Sequence, residues 1–191
     1  MRLFIALNLP KATQDRIYAA TEPLRVSGFP VQGLEPETYH LTLKFLGEVR
    51  PAMLLAVERV LDRVSEATDS FPLAVSGFGA FPTIRCPSVL WIGVESSPAL
   101  RCLKQDLEWG LANHGFERET RAFHPHITLG RAKESEGAGA FRGLDELSAQ
   151  LRFLDKVSVD TVDLMRSQFS RKGERYTMLR DSPLKPRSKR P

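Results

Sequence analysis

Residues 38–47 read TYHLTLKFLG, and residues 123–132 read FHPHITLGRA. Each stretch holds a histidine, an aliphatic residue, a threonine and a second aliphatic residue, giving the tetrads His40-Leu41-Thr42-Leu43 and His126-Ile127-Thr128-Leu129. Alternation of polar and apolar side chains is typical of a half-buried β-strand. Because residues two apart in a strand share a face, each tetrad is predicted to present an imidazole and a hydroxyl on one surface.

The two tetrads agree beyond their histidines and threonines. Their aliphatic positions match, and a glycine follows each closely, Gly47 in the first and Gly130 in the second. In the first strand, about Tyr39 to Leu46, strict alternation predicts one face for the core and one for the site. The predicted core face carries Leu41, Leu43 and Phe45, and the opposite face carries His40, Thr42 and Lys44.

The rest of the chain alternates strand and helix around each tetrad. Strands are predicted at residues 3–9, 72–82, 88–95, 156–168 and 175–181, and helices at 12–25, after Pro51, at 98–114 and at 144–154. This alternation of strands and helices predicts an α+β fold built from a duplicated βαβαβ unit. A chain of 191 residues suits one domain or two small fused lobes.

The net charge of +4 comes from the C-terminal end. Four of the 27 basic residues lie in the last seven positions, which hold no acidic residue, so 23 basic residues face 23 acidic residues upstream. A formally neutral body does not favour a broad duplex-binding face, so any nucleic-acid contact is expected to be local, at a terminus or a single-stranded end. Residues 185–191 are predicted to be a basic disordered tail.

Cys86 and Cys102 form neither a paired framework nor a C-x-x-C motif, so we expect two reduced, partly buried thiols. The N-terminus begins with a strand-like segment, and no run approaches ~18 consecutive apolar residues. These features predict a cytoplasmic protein that does not span a membrane.

Several motifs together resemble the two-histidine (2H) phosphoesterase superfamily. They are the two tetrads, the opening RLFIA (2–6), the KFLG extension (44–47) and the HPH context (124–126). Within that superfamily the chain is most similar to the RNA 2′,3′-cyclic phosphodiesterases, also called 2′-5′ RNA ligases. The resemblance extends to Leu184 and implies a single domain over 1–184, with two pseudo-symmetric lobes whose antiparallel sheets flank a central cleft.

Paired histidines suit the opening of a cyclic phosphodiester. In-line attack of water at phosphorus needs a base on the side of the water and an acid on the side of the leaving oxygen. Histidine, with a reference pKa near 6.5, can fill either role, and threonine hydroxyls on the same face can donate to the phosphate oxygens. This chemistry requires no metal and no cofactor.

The resemblance assigns the roles that the residues alone leave unordered. It implies that His40 is the proton donor to the leaving oxygen and His126 the proton acceptor from water, with Thr42 and Thr128 binding the phosphate. It also implies that the 3′ oxygen leaves and that the product is a 2′-phosphomonoester. The implied partners are RNA ends or nucleotide 2′,3′-cyclic phosphates, and a monomer is expected.

Further candidates surround the tetrads. Arg131 is a candidate phosphate ligand, but it reaches the site only if Gly130 introduces a bulge, because strict alternation turns it away. Phe123 and Tyr39 are candidates to stack a nucleobase, and Phe45 is a third, for which core packing is the favoured interpretation. Lys44 is either a substrate contact or a solvated strand residue.

Other interpretations stay open. His124 and His126 could form a metal pair, although no carboxylate or thiol stands nearby in sequence. The alternative functions are ATP-independent 2′-5′ RNA ligation at the same site, a phosphodiesterase for small cyclic nucleotides, and a non-catalytic RNA- or nucleotide-binding module. A binding module has no need of two proton-transfer groups.

Overall fold

The computed structural model describes residues 1–133, 139–170 and 173–187. The elements in chain order are β1 (Arg2–Asn8), α1 (Lys11–Ala20), α2 (Glu22–Val26), β2 (Val31–Gly33), a 3₁₀ turn (Pro36–Thr38), β3 (His40–Glu48), α3 (Pro51–Ala67), β4 (Phe71–Thr83), β5 (Cys86–Val94), α4 (Pro98–Ala112), β6 (His126–Ala132), α5 (Leu144–Gln150), β7 (Leu154–Val159), β8 (Thr161–Ser170) and β9 (Gly173–Pro183).

The two tetrad strands lie side by side at the centre of the fold. The strand order is β7-β4-β5-β6-β3-β1-β8-β9, with β2 paired to β6. β3 and β6 share the single register pair Leu41↔Ile127, whereas the pairs on either side of them are extensive. Two four-stranded antiparallel halves therefore meet along the tetrads, and the predicted α+β, two-lobed architecture is confirmed.

The halves are related by a pseudo-twofold. Outward from its tetrad strand, one half runs β3-β1-β8-β9 and the other β6-β5-β4-β7. The first unit, β1-α1-β3-α3-β4, ends with β4 paired to β5 of the second unit. The second unit starts at β5 and contains β8, which pairs with β1 of the first unit. Each duplicated unit thus completes the sheet of the other half, which ties the two lobes together.

Amphipathic helices cover the core face of the sheet. Helix α3 buries Val57, Val60, Leu61 and Val64, whose spacing puts them on one side of the helix. Helix α4 begins at Pro98, and the hydroxyl of the preceding Ser97 accepts a hydrogen bond of 3.2 Å from the Leu100 amide and caps the helix N-terminus. These helices pack on each other, and the opposite face of the two tetrad strands remains open.

Two predicted elements are divided in the structure. The strand predicted at 156–168 is two strands that separate at Asp160, because β7 pairs with β4 in one half and β8 with β1 in the other. The helix predicted at 12–25 breaks at Thr21, whose hydroxyl donates to the carbonyls of Ile17 and Tyr18. Such side-chain bonds compete with helix continuation, and the next helix begins at Glu22 with Pro23 in its first turn.

Three terminal and surface features complete the fold. Cys86 and Cys102 are free and exposed, so the expected partial burial was wrong. Lys185 and Arg187 hydrogen-bond to residues 68–70, so the predicted tail is ordered at 185–187, and 188–191 lie outside the described residues. Among the described helices, none is long and apolar enough to cross a bilayer.

Candidate active site

The tetrad side chains form a four-cornered arrangement on the open face. The Leu41↔Ile127 pair sets an antiparallel register in which His40 lies across from Thr128, and Thr42 across from His126. Neighbouring strands lie about 5 Å apart and residues i and i+2 about 6–7 Å apart, so the two histidine Cα atoms are roughly 8 Å apart on a diagonal.

The two imidazoles are held in the same way. Nδ1 of His40 lies 2.7 Å from the carbonyl of Thr38, and Nδ1 of His126 lies 2.7 Å from the carbonyl of His124. A carbonyl only accepts, so each Nδ1 carries the proton and donates it. Proton transfer therefore falls to Nε2 of each ring, and both rings are partly exposed.

Aromatic side chains flank each histidine on two sides. Phe4 stacks on His40 with centroids 4.9 Å apart, and Tyr176 meets the same ring edge-on at 5.0 Å. Phe81 meets His126 edge-on at 4.9 Å, with Trp91 behind it at 6.2 Å. The aromatic pairs restrict ring rotation. The sequence analysis did not identify this packing, because the flanking residues lie on other strands and share no spacing with the tetrads.

A matching bulge follows each tetrad. Both strands have the burial order in which two consecutive residues face the core, Leu43 and Lys44 in β3 and Leu129 and Gly130 in β6. The register shifts at these points, between β1 and β3 and between β5 and β6. A bulge adds one residue and turns the following side chains to the other face.

The bulges correct two expectations and meet the condition attached to a third. Phe45, predicted for the core, is 71% exposed on the cleft face, and Lys44, predicted for the face of His40 and Thr42, is only 5% exposed and faces the helices. Arg131 lines the cleft as the equivalent residue in β6. The alternation rule failed at Phe45 because strict period-2 reasoning assumes that no bulge interrupts the strand.

Two adjoining chambers lie on either side of the paired threonines. The first, of about 350 Å³, contains His40, Arg2, Arg131 and Tyr176. The second, of about 330 Å³, contains His126, Arg121, Phe123 and His124. Thr42, Phe45 and Thr128 line both chambers. One continuous cleft thus has a histidine in each half, and the two threonines lie where the halves join.

The structure separates the base-stacking candidates Tyr39 and Phe123. Tyr39 is 2% exposed within the hydrophobic core, and this burial raises the pKa of Tyr39 to about 12. A buried ring offers no face to a nucleobase, so that expectation was wrong. Phe123 is half-buried on the wall of the His126 chamber and stays a candidate.

The candidate metal pair gains no third ligand in the described part of the chain. Within residues 1–133, 139–170 and 173–187, no three His, Cys, Asp or Glu side chains cluster as metal ligands. The nearest aromatic contact of His124 is Phe81, with centroids 6.5 Å apart.

A two-lobed antiparallel α+β fold with two His-x-Thr motifs facing one cleft defines a two-histidine phosphoesterase. The chain belongs to the 2′-5′ RNA ligase superfamily, whose family model matches residues 13–169.

Relatives and solved structures agree with this assignment. The chain is 31% identical to the RNA 2′,3′-cyclic phosphodiesterase of Methanothermobacter thermautotrophicus, over 93% of this chain and 95% of that protein. It is 38% identical to the protein of that name from Thermotoga maritima, over 70% and 71% of the two chains. The protein TT0787 of Thermus thermophilus superposes with a TM-score of 0.78 at 26% identity, covering 97% and 99%. Escherichia coli LigT complexed with 3′-AMP gives a TM-score of 0.76 at 28% identity, covering 96% and 97%.

Proposed function

We propose that this protein hydrolyses RNA 2′,3′-cyclic phosphate ends to 2′-phosphomonoesters by general acid/base catalysis between His40 and His126. The observation that carries the proposal is the diagonal pairing of the two histidines across the paired threonines of one cleft. Curated relatives named RNA 2′,3′-cyclic phosphodiesterase, which span most of the chain, support the substrate class.

His126 accepts the proton of the attacking water. Its Nδ1 donates to the His124 carbonyl, so the Nε2 lone pair is available as a base. The water oxygen then forms a bond to phosphorus as the P–O3′ bond breaks on the opposite side. His40, protonated on Nε2, transfers that proton to the departing O3′. One proton is taken from water, and one is given to O3′, which becomes the ribose 3′-hydroxyl. The phosphate stays on O2′.

The paired threonines and Arg131 stabilise the charge on the phosphate during attack. Thr42 and Thr128 lie where the two chambers of the cleft join, and their hydroxyls can donate to the two non-bridging oxygens of the phosphate. The Arg131 guanidinium lines the His40 chamber and supplies a fixed positive charge. These groups supply the electrostatic stabilisation that a metal gives in other phosphoryl-transfer enzymes.

The terminal nucleoside is bound by aromatic surface at the cleft. Phe45 is exposed on the wall common to both chambers, and Phe123 is half-buried in the chamber that contains His126. Stacking on either ring favours a nucleobase without selecting its sequence. Both tetrads lie on one chain and meet through Leu41 and Ile127, so no second copy is needed to assemble the cleft, and we propose action as a monomer on single-stranded ends. We further propose that the protein works in the cytoplasm, where its two exposed thiols stay reduced.

The test is a defined oligonucleotide with a 2′,3′-cyclic phosphate end, incubated with EDTA-treated protein. Ring opening to a terminal 2′-phosphate, identified by ³¹P NMR, is the expected result. Absence of ring opening removes the proposal, and a 3′-phosphate product would reverse the identity of the leaving oxygen. The same assay with a second RNA carrying a 5′-hydroxyl, and with nucleoside 2′,3′-cyclic phosphates, distinguishes hydrolysis from ligation and from small-substrate activity.

A further inference from the structure

Four charged side chains form a cluster beside the His126 chamber, and two of them, Lys44 and Glu119, line that chamber. Lys44 from β3, Lys104 and Glu108 from α4, and Glu119 from the segment before β6 make up this Glu108 cluster. Lys44, Lys104 and Glu108 are 5–7% exposed, and the Glu119 side chain is 52% exposed. Two cations and two anions balance, so the cluster is formally neutral.

Glu108 is the centre of the cluster. Its carboxylate accepts from the Lys44 ammonium at 2.6 Å, from the Lys104 ammonium, and from the Glu119 amide at 3.1 Å. Burial by itself would raise the pKa of Glu108, but these three donors together hold the pKa below its ordinary value. Glu108 is therefore a carboxylate that stays ionised in the interior because every donor around it is aligned.

The cluster joins the two catalytic motifs. Lys44 follows His40 by four positions on the same strand, and its ammonium also donates to the Glu117 carbonyl at 2.7 Å. Glu119 precedes His126 by seven positions and accepts from Lys104 at 3.0 Å. The contacts of Glu108 thus connect the strand that carries the acid to the segment that leads to the base.

Residues 116–125, named here the approach segment, depend on these contacts. Of the residues in it, 117–124 make no backbone–backbone hydrogen bond within the described part of the chain. Side chains fix the segment instead: Arg118 lies over the Trp109 ring at 3.9 Å, and Lys104 lies 5.6 Å from the Phe123 ring. A segment without secondary structure takes its conformation from such anchors.

The approach segment in turn sets the geometry at His126. It supplies the His124 carbonyl that orients the imidazole, and its side chains Arg121 and Phe123 form a wall of the His126 chamber. A shift of the segment would move the carbonyl and release the ring to the other tautomer. Misplacement of about 1 Å in a catalytic group can cost about 100-fold in rate.

We propose that the Glu108 cluster is a positioning element that fixes the tautomer and placement of His126 relative to His40. Lys44 and Glu108 are its essential pair, and neither touches the reacting atoms. The proposal rests on the proposed hydrolysis only for its kinetic readout. Its second readout, the protonated nitrogen of His126, is independent of the substrate.

The test compares Glu108→Gln and Lys44→Met with a matched control, Asp62→Asn. Asp62 pairs with Arg180 at 2.8 Å between α3 and β9, outside the cleft, so its loss removes an ion pair of comparable length. We expect each cluster variant to lose ~10- to 100-fold in kcat with KM within about twofold of wild type. Lys44→Arg, which keeps the charge and donors, is expected to recover part of the loss, and Asp62→Asn to keep wild-type kcat.

The structural readout is ¹⁵N NMR of the imidazoles, with His126 assigned by comparison with His126→Asn. Wild type is expected to show Nδ1 protonated, and Glu108→Gln a mixture of the two tautomers.

Folded variants with wild-type kcat and an unchanged His126 signal overturn the proposal, as does a raised KM with unchanged kcat. If Glu108→Gln fails to fold, Glu119→Gln decides by the same criteria, since its side chain is half exposed. If wild type opens no cyclic phosphate, the proposed function fails while the NMR result still decides the positioning role.

Discussion

Phe45 and Arg131 occupy equivalent positions in the two halves, each five residues after a motif histidine and each turned into the cleft by a bulge. The duplicated backbone thus delivers a different side chain on each side, an aromatic ring from β3 and a guanidinium from β6. In the proposed function, the symmetric histidines and threonines bind the phosphate, and we propose that the asymmetry at these two positions orients the substrate in the cleft.

Loss of either histidine is expected to disable turnover without unfolding the protein. His40→Ala and His126→Ala each remove one proton transfer, which is worth ~10²–10⁴ in rate, and both side chains lie at the cleft surface. The double variant is expected to be little worse than the less active single variant, because the two act in one step. Initial rates on a cyclic-ended oligonucleotide measure this, with the exposed His114→Ala as control. Additive losses would contradict a shared step.

Removing a threonine hydroxyl is expected to slow the chemical step. Thr42→Val and Thr128→Val keep the β-branched shape that suits a strand but lose the donor to a phosphate oxygen. Loss of one such donor costs ~10²–10³ in kcat where the donor stabilises transition-state charge. Matched Thr→Ser variants retain the hydroxyl and should remain within about tenfold of wild type. Equal activity of the Val and Ser variants would show that the hydroxyls are not donors.

Phe45→Ala is expected to weaken substrate binding more than it slows chemistry. The ring is exposed on the common wall of both chambers, and base stacking is worth ~1–3 kcal/mol per base. KM for a cyclic-ended dinucleotide should rise about tenfold or more on that basis. Phe45→Tyr, which keeps the ring, is the control. An unchanged KM in Phe45→Ala would place the base elsewhere.

Gly130→Ala is expected to destabilise the strand that carries His126. A Cβ at Gly130 would lie 2.8 Å from Cγ1 of Val31 and 2.9 Å from the Gln32 carbonyl, so β2 must move away. Such overpacking costs roughly 1–3 kcal/mol, and thermal unfolding should report it. Gly33→Ala is the control, because its nearest neighbour, Cδ of Arg25, is 3.9 Å away. Equal Tm values for the two variants would refute the close-packing argument.

Neutralising Asp163 is expected to stabilise the protein near neutral pH. Its side chain is 1% exposed, and burial raises the pKa of Asp163 above its ordinary 3.8, even though the Asn8 amide donates to it at 2.7 Å. A raised folded-state pKa gives stability that is fully present below pH 3.8 and is lost as pH rises through the folded value. Asp163→Asn should therefore have a higher Tm than wild type near neutral pH.

The Tm advantage of Asp163→Asn should vanish below about pH 3.8, where the wild-type carboxyl is protonated in both states. Thermal unfolding across pH measures this dependence, with the exposed Asp106→Asn as control. A stability difference that does not change with pH would mean that ionisation of Asp163 is not its cause.

Local periodicity was enough to find the two tetrad strands and the shared face of each His and Thr pair. It failed wherever a distant segment decides a side chain's direction. The bulge at Leu43 turns Lys44 inward, where Glu108, 64 positions later, offers a buried carboxylate, and Phe45 consequently faces outward. The position of Tyr39 next to His40 suggested that its ring lines the cleft, yet the ring lies in the core.

The sequence by itself determined the duplication, the α+β class, the family and the four side chains expected at the phosphate, because these depend on motif identity and strand period. Only the tertiary structure decided that the tetrads meet at Leu41 and Ile127, that bulges bring Arg131 and Phe45 into the cleft, and that the chain crosses between halves at Asp160. The physical reason is that register, bulges and buried ion pairs depend on contacts between residues far apart in the chain, which local spacing does not specify.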